Sequence, residues 1–128
     1  MRTRISITLL GLLAALALVA VPAATAATNV HRATLHGSPA YPSVTGSAKF
    51  QRDNGVRELE AEIQHAKVLA GTKVRFRVNG NVVGTATVNS LGRAQINKRG
   101  GTVPAVSTGS KINVRRLNGA LVASGTFS

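Results

Sequence analysis

The sequence contains no cysteine, and of its 128 residues only four are acidic and four aromatic. Without cysteine the chain has no disulfide, no thiolate metal ligand and no lipidation site beside an export signal. Its stability must therefore come from the packing of apolar side chains and the pairing of backbone strands.

Tryptophan is also absent, and the few aromatic rings are placed for packing rather than for binding. Phe50, Phe76 and Phe127 fall on predicted core faces, and Tyr41 lies in a loop with Pro39 and Pro42. Sites that stack bases or sugars need several exposed rings. We therefore expect no stacking site for sugars and no specific nucleic-acid partner.

The first 26 residues have the anatomy of a bacterial secretory signal. Arg2 and Arg4 form a basic head, residues 5–21 form an apolar run, and small residues follow Pro22. We predict cleavage after Ala26, with Ala24 and Ala27 as the alternative positions. Cleavage would release a secreted domain of residues 27–128 that meets a membrane only through this segment before cleavage. The run of 17 residues is at the lower limit for spanning a bilayer, so an uncleaved anchor is the alternative.

The charge of the chain is strongly one-sided. Its formal net charge is +12, and removal of Arg2 and Arg4 leaves 14 basic against four acidic residues. Between residues 63 and 128 there are ten basic residues and no acidic one. A field of this sign attracts anionic partners such as cell-wall polymers.

Strict alternation over residues 72–79 predicts a half-buried strand, with Val74, Phe76 and Val78 on its core face. Asn79-Gly80-Asn81 then indicates a hairpin. We predict a three-residue loop, because it pairs Val78 with Val82 and Phe76 with Gly84 and so keeps the apolar faces together.

Two further hairpins are predicted at Asn54-Gly55 and Asn118-Gly119, each with a two-residue loop. The first would place Phe50 opposite Leu59 and Lys49 opposite Glu60. The second would place Ile112 and Val114 on the face of Leu121, Ala123 and Phe127. Residues 30–35 and 93–98 are also predicted strands.

Residues 56–70 fit both a strand and a helix, because their apolar residues recur at both spacings. We favour a strand, since the pairing of Lys49 with Glu60 brings opposite charges together. The fold class predicted is all-β, a single small β-sandwich or barrel of seven to eight mostly antiparallel strands. A helix over 56–70 would make it α+β.

A weak internal repeat relates Gly71-Thr-Lys-Val-Arg-Phe-Arg to Gly109-Ser-Lys-Ile-Asn-Val-Arg, each leading to Asn-Gly. It is explained by duplication of a hairpin or, as we favour, by two hairpins that obey the same sequence rules. The run Val-Asn-Gly-x-x-Val-Gly-Thr at 78–85, with Gly92-Arg93-Ala94 and Gly125-Thr126-Phe127, resembles small secreted bacterial β-domains. The resemblance implies fold and secretion but no activity.

No arrangement of residues indicates catalysis, a cofactor or a metal site. The chain has no Gly-x-Ser-x-Gly nucleophile motif, and its four acids lie within ten residues on one predicted hairpin, which does not suggest carboxylates paired in a cleft. His31 and His36 would face opposite sides of a strand, and His65 would lie on the core face. We therefore expect a protein that is not an enzyme, with a small hydrolase as an unfavoured alternative.

The anion-binding candidates are Lys73, Arg75 and Arg77, which form a row on one strand face, and Arg93 one strand further on. We expect a binding or structural role at the cell envelope, with this face contacting an anionic polymer. The first alternative is a protein interaction module that pairs an exposed strand edge with an envelope protein. The second is that the charges only keep an exported protein soluble.

Secretion by a bacterial host tests the export signal directly. We expect the mass of the protein recovered from the medium to correspond to residues 27–128, because the small residues before Ala27 form the cleavage site. Retention of the whole chain in the membrane fraction would contradict this and favour the anchor.

Overall fold

The computed structural model describes residues 29–128, so the export signal predicted over residues 1–26 lies outside the described part. These residues form eight strands and one short 3-10 helix, Lys67–Leu69. The strands are β1 (Asn29–Gly37), β2 (Thr45–Asp53), β3 (Val56–Gln64), β4 (Lys73–Val78), β5 (Asn81–Thr87), β6 (Ala94–Arg99), β7 (Lys111–Arg116) and β8 (Leu121–Thr126). Within residues 29–128, no helix is long and apolar enough to cross a bilayer.

All eight strands belong to one antiparallel sheet in the order β5-β4-β7-β8-β1-β2-β3-β6, which curls into a nearly closed barrel. The predicted all-β class is thus confirmed, as a barrel. Alternate side chains of each strand fill the interior, and the three phenylalanines are among the largest side chains buried there. Within the segment 56–70, residues 56–64 form the favoured strand and residues 67–69 form the short 3-10 helix, so a helix over the whole segment is wrong.

The β2–β3 hairpin has the register that the sequence predicts. Phe50 pairs with Leu59 inside the barrel and Lys49 pairs with Glu60 outside it. The hydrophobic pattern and the opposite charges favour the same alignment, which explains why this hairpin was predictable.

The prediction of a three-residue loop between β4 and β5 is wrong. Val78 pairs with Asn81, so Asn79 and Gly80 alone form the turn. Both have positive φ, 49° and 87°, as the tight hairpin turn with the matching twist requires.

A β-bulge then restores the apolar alignment that motivated the longer loop. Arg77 pairs with Val82 and Phe76 pairs with Gly84, which leaves Val83 as the extra residue on β5. The pairing of Phe76 with Gly84 was predicted correctly. Burial of the apolar faces therefore sets the register, and the bulge adjusts the turn to it.

In the β7–β8 hairpin the predicted loop is too short rather than too long. The Arg116 N–H donates to the Ala120 carbonyl, so three residues form the loop where two were predicted. A bulge at Val122 offsets the extra residue of the loop, so Val114 pairs with Ala123 inside the barrel.

The two segments of the internal repeat share features outside their turns, although the two loops differ by one residue. Gly71 N–H donates to Val88 O and Gly109 N–H donates to Phe127 O, each at 2.8 Å. Both glycines have positive φ, and both hairpins have their bulge at the same position of the repeat. The two hairpins therefore correspond in structure on both sides of their loops.

The barrel closes where the edge strands β5 and β6 meet without forming a ladder. We call this junction the seam. At Gly84 a Cβ atom would lie 2.9 Å from Lys98 Cε and 3.1 Å from Ile96 Cγ2. The absence of a side chain at Gly84 therefore lets the side chains of β6 lie over β5.

Replacement of this glycine tests the closure. Gly84→Val should lower the free energy of unfolding by about 1–3 kcal/mol in urea titrations, because the added side chain overlaps Ile96, which is packed in the core. Gly101→Val is the matched control, since Gly101 has open space around it and no positive φ. Equal stability of the two variants would contradict the account of the seam.

Candidate functional site

The basic row predicted on β4 lies on the outside of the barrel. Lys73 is exposed and Arg75 and Arg77 are partly exposed, while the residues between them are buried. The inward side chains hold the strand in place, so the outward side chains project from a rigid support.

The neighbouring strand β7 enlarges this row into a cluster. Arg75 lies directly opposite Arg115, and Arg77 lies directly opposite Asn113. Side chains that face each other across an antiparallel pair have Cβ atoms about 5 Å apart. We call Arg75, Arg77 and Arg115 the arginine cluster.

Two members of the arginine cluster are fixed by the turns of their own hairpins. Arg77 Nη1 donates to Gly80 O at 3.5 Å and Arg115 Nη1 donates to Gly119 O at 2.8 Å. Each guanidinium has five N–H donors, and these two bonds use only one nitrogen of Arg77 and one of Arg115. The arginine cluster is thus oriented by the protein and still has donors available.

No acidic residue neutralises the arginine cluster within the sheet. The four acids of the chain lie on β2 and β3, and neither strand borders β4 or β7. Within the described part of the chain, the one ion pair joins Arg99 to Glu58, on the other side of the seam. The arginine cluster is therefore a site of uncompensated positive charge.

Arg93, the fourth candidate, does not join the arginine cluster. Its backbone N–H donates to Asn89 Oδ1 at 3.0 Å, and it borders a shallow cavity of about 530 Å³ with Thr87. Thr87 pairs with Lys73. β5 therefore lies between Arg93 and the basic row on β4, and Arg93 is nearest to Lys73 in that row.

Arg115 was missed as a candidate from the sequence. The alternation of β7 places it outside the barrel, but the pairing of β7 with β4 joins segments almost forty residues apart. No local pattern encodes that pairing. The signal that was available is the repeat, in which Arg115 corresponds to Arg77.

A second surface feature is a wide groove of about 1020 Å³ that crosses the outside of β8, β1, β2, β3 and β6. Glu60 and Glu62 both line it from the exposed outer face of β3, where the sequence predicts them. Glu60 faces Lys49, which in turn faces Arg32. The charges in the groove are therefore balanced, in contrast to the arginine cluster.

The histidines do not converge. His31 Nδ1 lies 2.9 Å from Ser128 O, and His65 Nδ1 lies 3.0 Å from Thr45 Oγ1. His65 is exposed rather than on the core face, because its φ of 61° ends β3 and turns the side chain outward. Among residues 29–128, no three histidine or acidic side chains are grouped so that they could hold a metal ion.

The chain matches no protein-family model, and no curated protein matches it. The chemistry of its own residues must therefore carry any proposal about its function.

The arginine cluster should destabilise the free protein, because Arg75 and Arg115 are like charges in direct opposition. Replacement of Arg75 by threonine, a good strand residue, should raise the free energy of unfolding by roughly 0.2–1 kcal/mol at low salt. The gain should shrink as salt screens the repulsion.

Urea titrations at two ionic strengths measure this effect. Lys49→Thr is the matched control, because Lys49 lies between Arg32 and Glu60 and its removal takes away an attraction together with a repulsion. An equal gain in the two variants would mean that threonine's strand preference, and not relief of repulsion, is the cause.

Proposed function

We propose that the protein is a non-catalytic, secreted domain of the bacterial cell envelope that binds an anionic polymer through the arginine cluster. The observation that carries the proposal is the direct opposition of Arg75 and Arg115 on strands that border no acidic residue. Like charges in this position cost stability, and an anion that bridges them removes that cost.

The chemistry of arginine suits phosphate and carboxylate groups. Its planar guanidinium presents paired N–H donors that match the oxygens of either group. In the arginine cluster these donors come from two adjacent strands, so one anionic group can contact two guanidinium groups.

The shape of the surface suits a polymer. Residues two apart on a strand are roughly 6.5–7 Å apart, and Lys73, Arg75 and Arg77 repeat at this spacing along β4. A chain with regularly spaced anionic groups can contact several members of the row at once. Binding of this kind releases counterions and weakens steeply with salt.

The predicted export signal supports the location. A domain released outside a bacterium meets anionic wall polymers directly, and its positive field draws it toward them. Pairing of a strand edge with an envelope protein is the second candidate, since β5 and β6 are not joined by a ladder.

Salt-titrated retention on isolated cell walls tests the proposal. We expect the protein to bind at low salt and to elute as salt rises, and Arg75→Glu/Arg77→Glu to lower retention at least tenfold, because the site then repels the polymer. The matched control is Arg32→Glu/Lys49→Glu, which makes the same change of charge in the groove.

Equal loss in both double variants would mean that net charge alone causes retention. Retention that is insensitive to salt and to both double variants would favour the strand-edge alternative instead.

A further inference from the structure

One end of the barrel collects four loops. Because neighbouring strands are antiparallel, the loops 38–44, 65–72, 88–93 and 117–120 all lie at the same end. We call this end the 65–72 end. The turns at 54–55 and 79–80 and the loop 100–110 lie at the opposite end.

The 65–72 end carries the two most exposed large apolar side chains of the described residues, and a third that is about half exposed. Val68 is 78% exposed, Leu91 is 74% exposed and Leu117 is 48% exposed. They come from three different loops of this end. Apolar side chains on loop tips are costly in water when they have no partner.

Two of these loops are held firmly together. Ala66 N–H donates to Gly92 O at 2.9 Å, and Gly71 N–H donates to Val88 O at 2.8 Å. Gly92 approaches so closely that a Cβ there would lie 2.6 Å from Lys67 N. The loop that carries Leu91 is therefore fixed beside the loop that carries Val68.

The charges of the 65–72 end are all of one sign. Lys67 and Arg93 lie in its loops, Arg116 ends the adjoining strand, and none of the four loops contains aspartate or glutamate. Arg116 Nη1 donates to the Tyr41 hydroxyl at 3.2 Å, which ties it to loop 38–44. Exposed apolar tips among cations are the pattern of proteins that dock on anionic lipid surfaces.

We propose that the 65–72 end docks on a bilayer that contains anionic lipids, with Val68 and Leu91 entering the interfacial region. Lys67, Arg93 and Arg116 then lie at the level of the lipid headgroups. A lipid surface fits better than a protein groove, because the apolar side chains are on separate loop tips and do not form one continuous face. This contact uses residues other than the arginine cluster and goes beyond the binding of a polymer. It also departs from the expectation from the sequence that the chain meets a membrane only through its export signal.

A fluorescent probe tests which end enters the membrane. Since the chain has no cysteine, Leu91→Cys and Val68→Cys each give a single site for a nitrobenzoxadiazole label. The matched control is Val82→Cys, an exposed valine beside the turn at 79–80. The full chain is expressed in a secreting bacterium, labelled, and mixed with phosphatidylcholine vesicles with or without phosphatidylglycerol.

We expect the labels at positions 68 and 91 to brighten several-fold and shift to the blue with phosphatidylglycerol vesicles, while the label at 82 stays unchanged. Unlabelled Val68→Ser/Leu91→Ser should bind these vesicles at least tenfold more weakly, because two apolar side chains no longer enter the interface.

Three results would overturn the proposal: no change at 68 and 91, equal changes at all three positions, or binding that Val68→Ser/Leu91→Ser leaves intact. If Arg75→Glu/Arg77→Glu abolishes vesicle binding while the serine variant does not, the arginine cluster is the lipid contact. Cell-wall retention depends on other residues, so the two proposals fail independently. Failure of the vesicle experiment leaves the polymer proposal standing, and failure of the cell-wall experiment leaves the lipid proposal standing.

Discussion

The pairing of β4 with β7 is the contact on which the rest of the barrel depends. It joins the two related hairpins back to back, with Phe76 opposite Val114 and Val78 opposite Ile112 inside the barrel. All four side chains are almost fully buried. The same register places Arg75 opposite Arg115 on the outside, so the packing of the core and the position of the arginine cluster have one cause.

This arrangement explains how the protein tolerates a repulsive pair of charges. Burial of a large apolar side chain contributes roughly 1.5–3 kcal/mol, whereas an opposed pair of like charges costs roughly 1 kcal/mol or less. The burial of Phe76 and Val114 therefore outweighs the repulsion of the arginines above them. The repulsion remains available to favour binding of an anion, and the acids are kept away on β2 and β3.

How far the sequence predicts the structure depends on how local each contact is. The β2–β3 register was predictable, because Asn54-Gly55 and the pairing of Lys49 with Glu60 act within one hairpin. The loop lengths of the other two hairpins were not predictable, because a bulge can offset a loop that is one residue shorter or longer. Lys73, Arg75 and Arg77 were placed correctly on one outer face, but Arg115 and the groove depend on pairing between distant segments, which no local pattern encodes.

NMR titration of the side-chain Nε–H groups with inorganic polyphosphate tests most directly whether anions bind at the arginine cluster. We predict that the signals of Arg75, Arg77 and Arg115 shift first and together, because their guanidinium groups share one uncompensated site. Equal and simultaneous shifts across all arginines, with those of Arg32 and Arg57 as large as the rest, would contradict the account.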